Sequence, residues 1–215
     1  MKVNVPGPAV LNTPLAEEVK KAVVALEQGG IVAFPTETFY GLAVDPFNEQ
    51  ALSDLFKLKG RPGHKPILVL IQSENQLASL ASSIPDLYRP LMQLYWPGPL
   101  TLVFPALATL PTALTGTDGL GIGVRISSHP VARAFGQLWG RPLTATSANL
   151  SGRPAARTAA EVQQFFGAGV SYILEGGQTP GGMSSTVVGI SPQGQLQLIR
   201  AGVIDFSSLV ARGKG

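Results

Sequence analysis

The apolar residues of this chain gather in runs too short to be anything but strands: Ile31–Phe34, Ile67–Ile71, Leu100–Phe104, Leu143–Thr146, Val170–Leu174 and Val187–Ile190. Several are rich in Val, Ile and Leu at both parities, the pattern of a strand covered on both faces. Helical periodicity fills the gaps unevenly. Leu15, Val19, Ala22, Val23 and Leu26 follow a Thr13-Pro14 start and stop at Gly29-Gly30. A second helix runs from about Asn48 to Lys57, and Gln76–Ala81 and Asp86–Tyr95 also read as helical. Ser127-Ser128-His129-Pro130 opens a helix to about Trp139, and Thr158 caps another ending at Phe166. Further strands are expected at Gly121–Ile126 and Leu196–Ile199, a turn at Pro35–Gly41 and a loop over 106–120. This irregular alternation predicts an α/β fold: a single-domain, open, twisted, mixed sheet with flanking helices.

With 45% hydrophobic and 13% charged residues, the 215-residue chain can bury a full core, which excludes disorder. Neither a repeat nor a dividing linker is visible, so one domain is expected over residues 1–206, with a short frayed tail at 207–215. No apolar run approaches the roughly 20 residues of a membrane span. The N-terminus lacks a signal-peptide pattern and cysteine is absent, so a cytoplasmic protein without disulfides or thiolate chemistry is expected.

A net charge of +3 is too mild to mark a nucleic-acid binder. Its distribution says more. Lys57, Lys59, Arg61 and Lys65 lie within ten residues broken by Gly60, Pro62 and Gly63, just before the strand at Ile67. Arg can grip a phosphate bidentately and Lys adds mobile charge, so the stretch suits a phosphate or carboxylate site. A solvated basic turn would look the same. Thr36-Glu37-Thr38, Arg125, Ser147-Ala148-Asn149, Ser184-Ser185-Thr186 and Arg200 also fall at strand ends, where α/β proteins hold ligands. Together they describe a pocket for an anionic, hydrogen-bonding ligand such as a nucleotide; singly, each hydroxyl cluster could be turn or cap chemistry. A Walker loop and a dinucleotide fingerprint are both missing. Gly119-Leu120-Gly121-Ile122-Gly123 instead suits close backbone packing in a strand. His64 and His129 are too few for a His-based metal site, and no Ser-His-acid triad can be assembled.

Seven motifs stand in a familiar order: Phe34-Pro35-Thr36-Glu37-Thr38-Phe39-Tyr40-Gly41-Leu42, Lys59-Gly60-Arg61-Pro62, Trp96-Pro97-Gly98-Pro99-Leu100-Thr101, Val124-Arg125-Ile126, Thr146-Ser147-Ala148-Asn149-Leu150-Ser151-Gly152, Ser185-Thr186-Val187 and Ile199-Arg200-Ala201-Gly202. The set resembles the YrdC-like family, the threonylcarbamoyl-AMP synthases of the single-domain TsaC type. That resemblance implies an open α/β fold around a basic concave cavity. It also implies a reaction in which L-threonine, bicarbonate or CO2 and ATP give threonylcarbamoyl-AMP and pyrophosphate, for modification of adenosine 37 in tRNA. By motif, Lys59, Arg61, Ser147 and Asn149 match the family's catalytic tetrad. Thr38, Arg125, Ser147 and Ser185 match threonine-binding positions. Lys59, Arg61, Lys65, Asn149 and Arg200 match positions around ATP, with Arg157 or Thr158 nearby. Mg2+ is expected with ATP. Implied partners are the downstream tRNA threonylcarbamoyltransferase machinery and, weakly, tRNA, but no membrane.

The residue types suit that chemistry. Arg125 can clamp the amino-acid carboxylate, Lys59 and Arg61 can neutralise phosphate charge, and Ser147 and Asn149 would share a face if their segment is extended. Lys65, Leu70, Gly121 and Gly189 depart from the family pattern, which commonly has Asn, His, Thr or Ser, and Asp there. Two other readings remain: an RNA-binding module using the same basic cavity, and a paralogue forming a different carbamoyl-adenylate.

Overall fold

The computed structural model describes residues 13–60, 65–116, 119 and 121–213. Helix α1 (Thr13–Glu27) leads into strand β1 (Val32–Pro35), which turns back as β2 (Tyr40–Ala43). Helix α2 (Glu49–Lys59) and β3 (Leu68–Leu70) precede a 3-10 helix (Glu74–Ser79), α3 (Tyr88–Tyr95) and β4 (Leu100–Pro105). The short helix α4 (Thr112–Thr115), β5 (Gly121–Arg125), α5 (Pro130–Trp139) and β6 (Leu143–Ser147) come next. Then follow α6 (Ala159–Phe166), β7 (Tyr172–Ile173), β8 (Thr186–Ile190), β9 (Leu196–Arg200) and α7 (Phe206–Arg212).

The strands form one nine-stranded mixed sheet in the order β7-β1-β2-β6-β3-β5-β4-β8-β9. The pairs β1–β7, β3–β5 and β4–β8 are parallel and the rest antiparallel. The expected fold class is therefore the one observed. Local signals act as the sequence suggests. Asn48 caps α2, accepting from the Ala51 amide at 3.0 Å, and Gly60 ends that helix in the left-handed conformation. The His129 ring caps α5 ahead of Pro130, and Thr158 caps α6.

The two faces of the sheet differ, and that difference makes the site. One parity, including Ala33, Leu42, Val69, Leu102, Phe104, Ile122 and Val124, packs into the larger core with α2, α3 and α6. On the opposite face, Val32, Phe34, Ala43, Leu70 and Leu143 pack under α1 and α5. Those two helices pack against each other but cover only the β1–β2–β6 half of that face and the Leu70 end of β3. Over β3, β5, β4 and β8 the same face opens into a cavity.

Four elements differ from expectation. The Pro35–Gly41 turn contains the start of a strand: the Thr36 amide donates to the Phe39 carbonyl at 3.1 Å, closing a hairpin that sends Tyr40 straight into β2. The 106–120 loop carries α4, and Gln76–Ala81 is a 3-10 turn. The Val170–Leu174 run pairs only at Tyr172 and Ile173. The tail from Ser207 is helix α7 through Arg212, with the Asp205 carboxylate accepting from the Ser208 amide at 3.1 Å and Leu209 fully buried. Leu209 is the anchor of that helix. Leu209→Ala is expected to destabilise the fold by ~2–5 kcal/mol, read as a lowered thermal midpoint; a frayed tail would show no change.

Candidate active site

The open half of the sheet face floors a cavity of about 500 Å³. Leu68, Thr101, Val103, Gly121, Gly123 and Val187 alternate onto it from β3, β4, β5 and β8. A Cβ built on Gly121 would lie 2.7 Å from Val103 Cγ1, and one on Gly123 would lie 3.2 Å from Leu68 Cβ. Beta-strand β5 thus contributes bare backbone at two cavity-facing positions, which lets its neighbours close over it and keeps the floor low.

Polar groups stand at the rims. At one side, Ser185 and Thr101 share a hydroxyl hydrogen bond of 2.9 Å. Arg200 Nη2 donates to the Ser185 carbonyl at 2.9 Å and its hydroxyl at 3.0 Å, so the three residues form one connected edge. At the other side, the β1–β2 hairpin presents Thr36 and Thr38, their hydroxyls 3.1 Å apart. Tyr40, at the start of β2, donates to the Gly177 carbonyl at 3.1 Å and accepts from the Gly176 amide at 3.2 Å. Burial raises its phenol to about 12, which keeps it a neutral donor that ties the 175–177 loop to the hairpin.

Arg125, the last residue of β5, is 5% exposed and lines the cavity. Its Nη1 donates to Glu37 Oε1 at 2.6 Å, while Glu37 Oε2 accepts from the Ser127 hydroxyl. Burial lowers the guanidinium's pKa, and the Glu37 charge opposes that shift. Arg125 Nε is buried without a hydrogen-bond partner. The same two influences act on His129, which burial lowers and Glu37 raises.

Of the residues singled out in the sequence, Thr38, Arg125, Ser147, Ser185 and Arg200 all line this one cavity. Asn149 reaches it through Ser147, whose hydroxyl donates to Asn149 Oδ1 at 2.5 Å. Strand alternation does not bring that pair together. β6 ends at Ser147 and the chain turns, the Asn149 amide bonding back to the Ser147 carbonyl at 2.9 Å. Lys59 is 2% exposed and faces inward: its ammonium donates to the Ser147 carbonyl, to the Asn149 carbonyl at 2.7 Å and to Asn149 Oδ1 at 3.4 Å. Lys57 pairs with Asp54 on the surface of α2 at 3.2 Å, and Lys65 is exposed next to the cavity residue Pro66. Lys57 and Lys59 therefore point in opposite directions, one to solvent and one inward. Arg61 and His64 lie outside the described residues.

Thr158 spends its hydroxyl capping α6, accepting from the Glu161 amide at 3.2 Å. Arg157 Nε donates to the Thr179 carbonyl at 3.4 Å. Leu70 is fully buried under α1 and α5. Sequence reasoning named Glu37 in a strand-end cluster but gave neither it nor Ser127 or Thr101 a role at the site. The first two read as turn and cap residues, and Thr101 would have been found only by following its strand's cavity-facing parity.

The sequence matches the family described as "Telomere recombination" (Sua5_yciO_yrdC) over residues 24–202. A relative from Pyrococcus abyssi, named threonylcarbamoyl-AMP synthase, is 40% identical over 81% of this chain and 52% of its own length. One of the same name from Shigella boydii is 36% identical over 86% of this chain and 97% of its own. The crystal structure of P. abyssi Sua5 complexed with L-threonine superimposes with a TM-score of 0.84 at 35% identity, covering 92% of this chain and 58% of that one. The chain thus spans about half the length of the P. abyssi relative and nearly all of the Shigella one. Matched along most of its sequence and across its whole sheet, the chain belongs to the Sua5–YciO–YrdC family.

Proposed function

We propose that this chain is a threonylcarbamoyl-AMP synthase, joining L-threonine, bicarbonate or CO2, and ATP with release of pyrophosphate. The observation that carries the reading is the cavity. Its volume suits a nucleotide-sized ligand, and a guanidinium and hydroxyls stand on opposite rims above a floor kept low by Gly121 and Gly123. In the sequence of events, Arg125 takes the threonine carboxylate while Thr38, Ser147 and Ser185 hydrogen-bond the rest of the amino acid. The threonine nitrogen forms a bond to the carbon of CO2, or of bicarbonate with loss of water, and gives up a proton. An oxygen of the resulting N-carboxylate then attacks the α-phosphorus, and the bond to pyrophosphate breaks. Arg61, Lys65 and Arg200 neutralise the triphosphate. Lys59 holds the Ser147–Asn149 turn in place from behind. The rate comes from positioning and fixed charge. ATP enters as its Mg2+ complex, the ion held by phosphate oxygens and water, and counts here as substrate.

The product is an activated carbamoyl group, suited to transfer by tRNA threonylcarbamoyltransferase machinery onto adenosine 37, with tRNA itself at most a weak ligand of this chain. Among the described residues no helix is long and apolar enough to cross a membrane, and we place the activity in the cytoplasm. The test is pyrophosphate release from ATP by the purified protein. Release is expected only when threonine and bicarbonate are both present. Release indifferent to threonine, or salt-sensitive RNA binding with no release at all, would overturn the reading.

A further inference from the structure

Resting on that reading of Arg125, we propose that Glu37 is a positioning residue: it sets the orientation of the Arg125 guanidinium at the cavity wall and thereby the capture of the amino-acid carboxylate. Arg125 lines the cavity, whereas Glu37 is not among its lining residues. Their side chains are 6% and 13% exposed, so the pair is largely shielded from water. Both Glu37 oxygens are engaged, one by Arg125 Nη1 at 2.6 Å and the other by the Ser127 hydroxyl. Ser127 is itself fixed, its hydroxyl accepting from the His129 amide at 3.2 Å where α5 begins. Glu37 is therefore a rigid anion tied to the frame of the sheet, and it is not free to swing away and be replaced by a ligand.

Among the described residues, little else orients the guanidinium. The residue in register with Arg125 on β3 is Leu70, which offers no hydrogen bond, and Arg125 Nε is unpartnered. A guanidinium is a flat fork, and rotating its plane presents the wrong donors to an incoming carboxylate. By holding one terminal nitrogen, Glu37 decides which part of the fork faces the cavity. It also balances the Arg125 charge, so that an amino acid, neutral as a zwitterion, meets a neutral pair.

The experiment measures equilibrium binding of L-threonine and of ATP by calorimetry, with thermal melting, for wild type, Glu37→Gln, Ser127→Ala and Arg125→Lys. For Glu37→Gln, threonine binding is expected to weaken about tenfold or more while ATP binding stays within about twofold. Ser127→Ala keeps the ion pair and should show the same selectivity with a smaller loss, about threefold, which decides the matter if Glu37→Gln does not fold. Equal losses for both ligands would make Glu37 merely structural and overturn the proposal. So would unchanged threonine binding in both variants while Arg125→Lys loses it. Threonine binding untouched by Arg125→Lys would overturn the reading of Arg125 and this proposal together.

Discussion

Arg125→Ala is expected to lower kcat/KM for L-threonine by about two to three orders of magnitude, the size of effect seen when one partner of a buried charge pair is truncated. The same change leaves Glu37, 13% exposed at its side chain, with only the Ser127 hydroxyl as hydrogen-bond partner among the described residues. A carboxylate stranded in that way destabilises a fold by about 3–5 kcal/mol, so the thermal midpoint should fall as well. Arg125→Lys separates the two effects. It keeps a cation beside Glu37, so melting should stay near wild type, but an ammonium cannot grip a carboxylate as a fork. Pyrophosphate release measured across threonine concentrations should then show a raised KM in a stable protein. Full activity in Arg125→Lys would mean that only the charge matters and that the clamp geometry is wrong.

How the fold could be read ahead of the structure follows from where its signals lie. Runs such as Ile67–Ile71 and Leu100–Phe104 carry their burial in their own composition, and Asn48, Gly60, Pro130 and Thr158 mark helix ends by local chemistry. Strand β2 carries no such signal. Tyr40-Gly41-Leu42-Ala43 is short, contains a glycine, and is a strand because β1 and β6 flank it. Helix α7 likewise owes its order to one buried leucine and an aspartate cap. At the site, motif order located Thr38, Arg125, Ser147, Ser185 and Arg200, which sit on five different strands or loops and meet only in the folded chain. Charge density alone did not tell the lysines apart. Lys57 and Lys59 are two residues apart on α2, so one meets solvent and the other is 2% exposed. Glu37 stood in a strand-end cluster without a role of its own: a single carboxylate between two threonines looks like turn chemistry until Arg125 is placed beside it.

Gly202→Ala is expected to disturb the site from outside it. An ideal Cβ at Gly202 would lie 2.3 Å from the Thr186 amide nitrogen, 2.4 Å from the Ser184 carbonyl oxygen and 2.4 Å from the Ser185 carbonyl carbon. All three are backbone atoms, so no side-chain rotation can make room. The close approach is what allows Val203 to donate to the Ser184 carbonyl at 3.0 Å and Ile204 to the Thr186 hydroxyl at 2.9 Å. A methyl group would prise these two segments apart. Overpacking of that kind costs ~1–3 kcal/mol, and for a chain of this size the melting temperature should drop by roughly 2–12 °C. The functional loss should be larger than the stability loss suggests, because the displaced segment carries Ser185, the residue that joins Thr101 to Arg200 on the cavity rim. Threonine and ATP binding should therefore both weaken in Gly202→Ala at temperatures where the protein is still folded. If both affinities survive while the melting point falls, the rim is held by something other than this backbone contact, and the Ser185–Arg200 edge is not the part of the site that grips ligand.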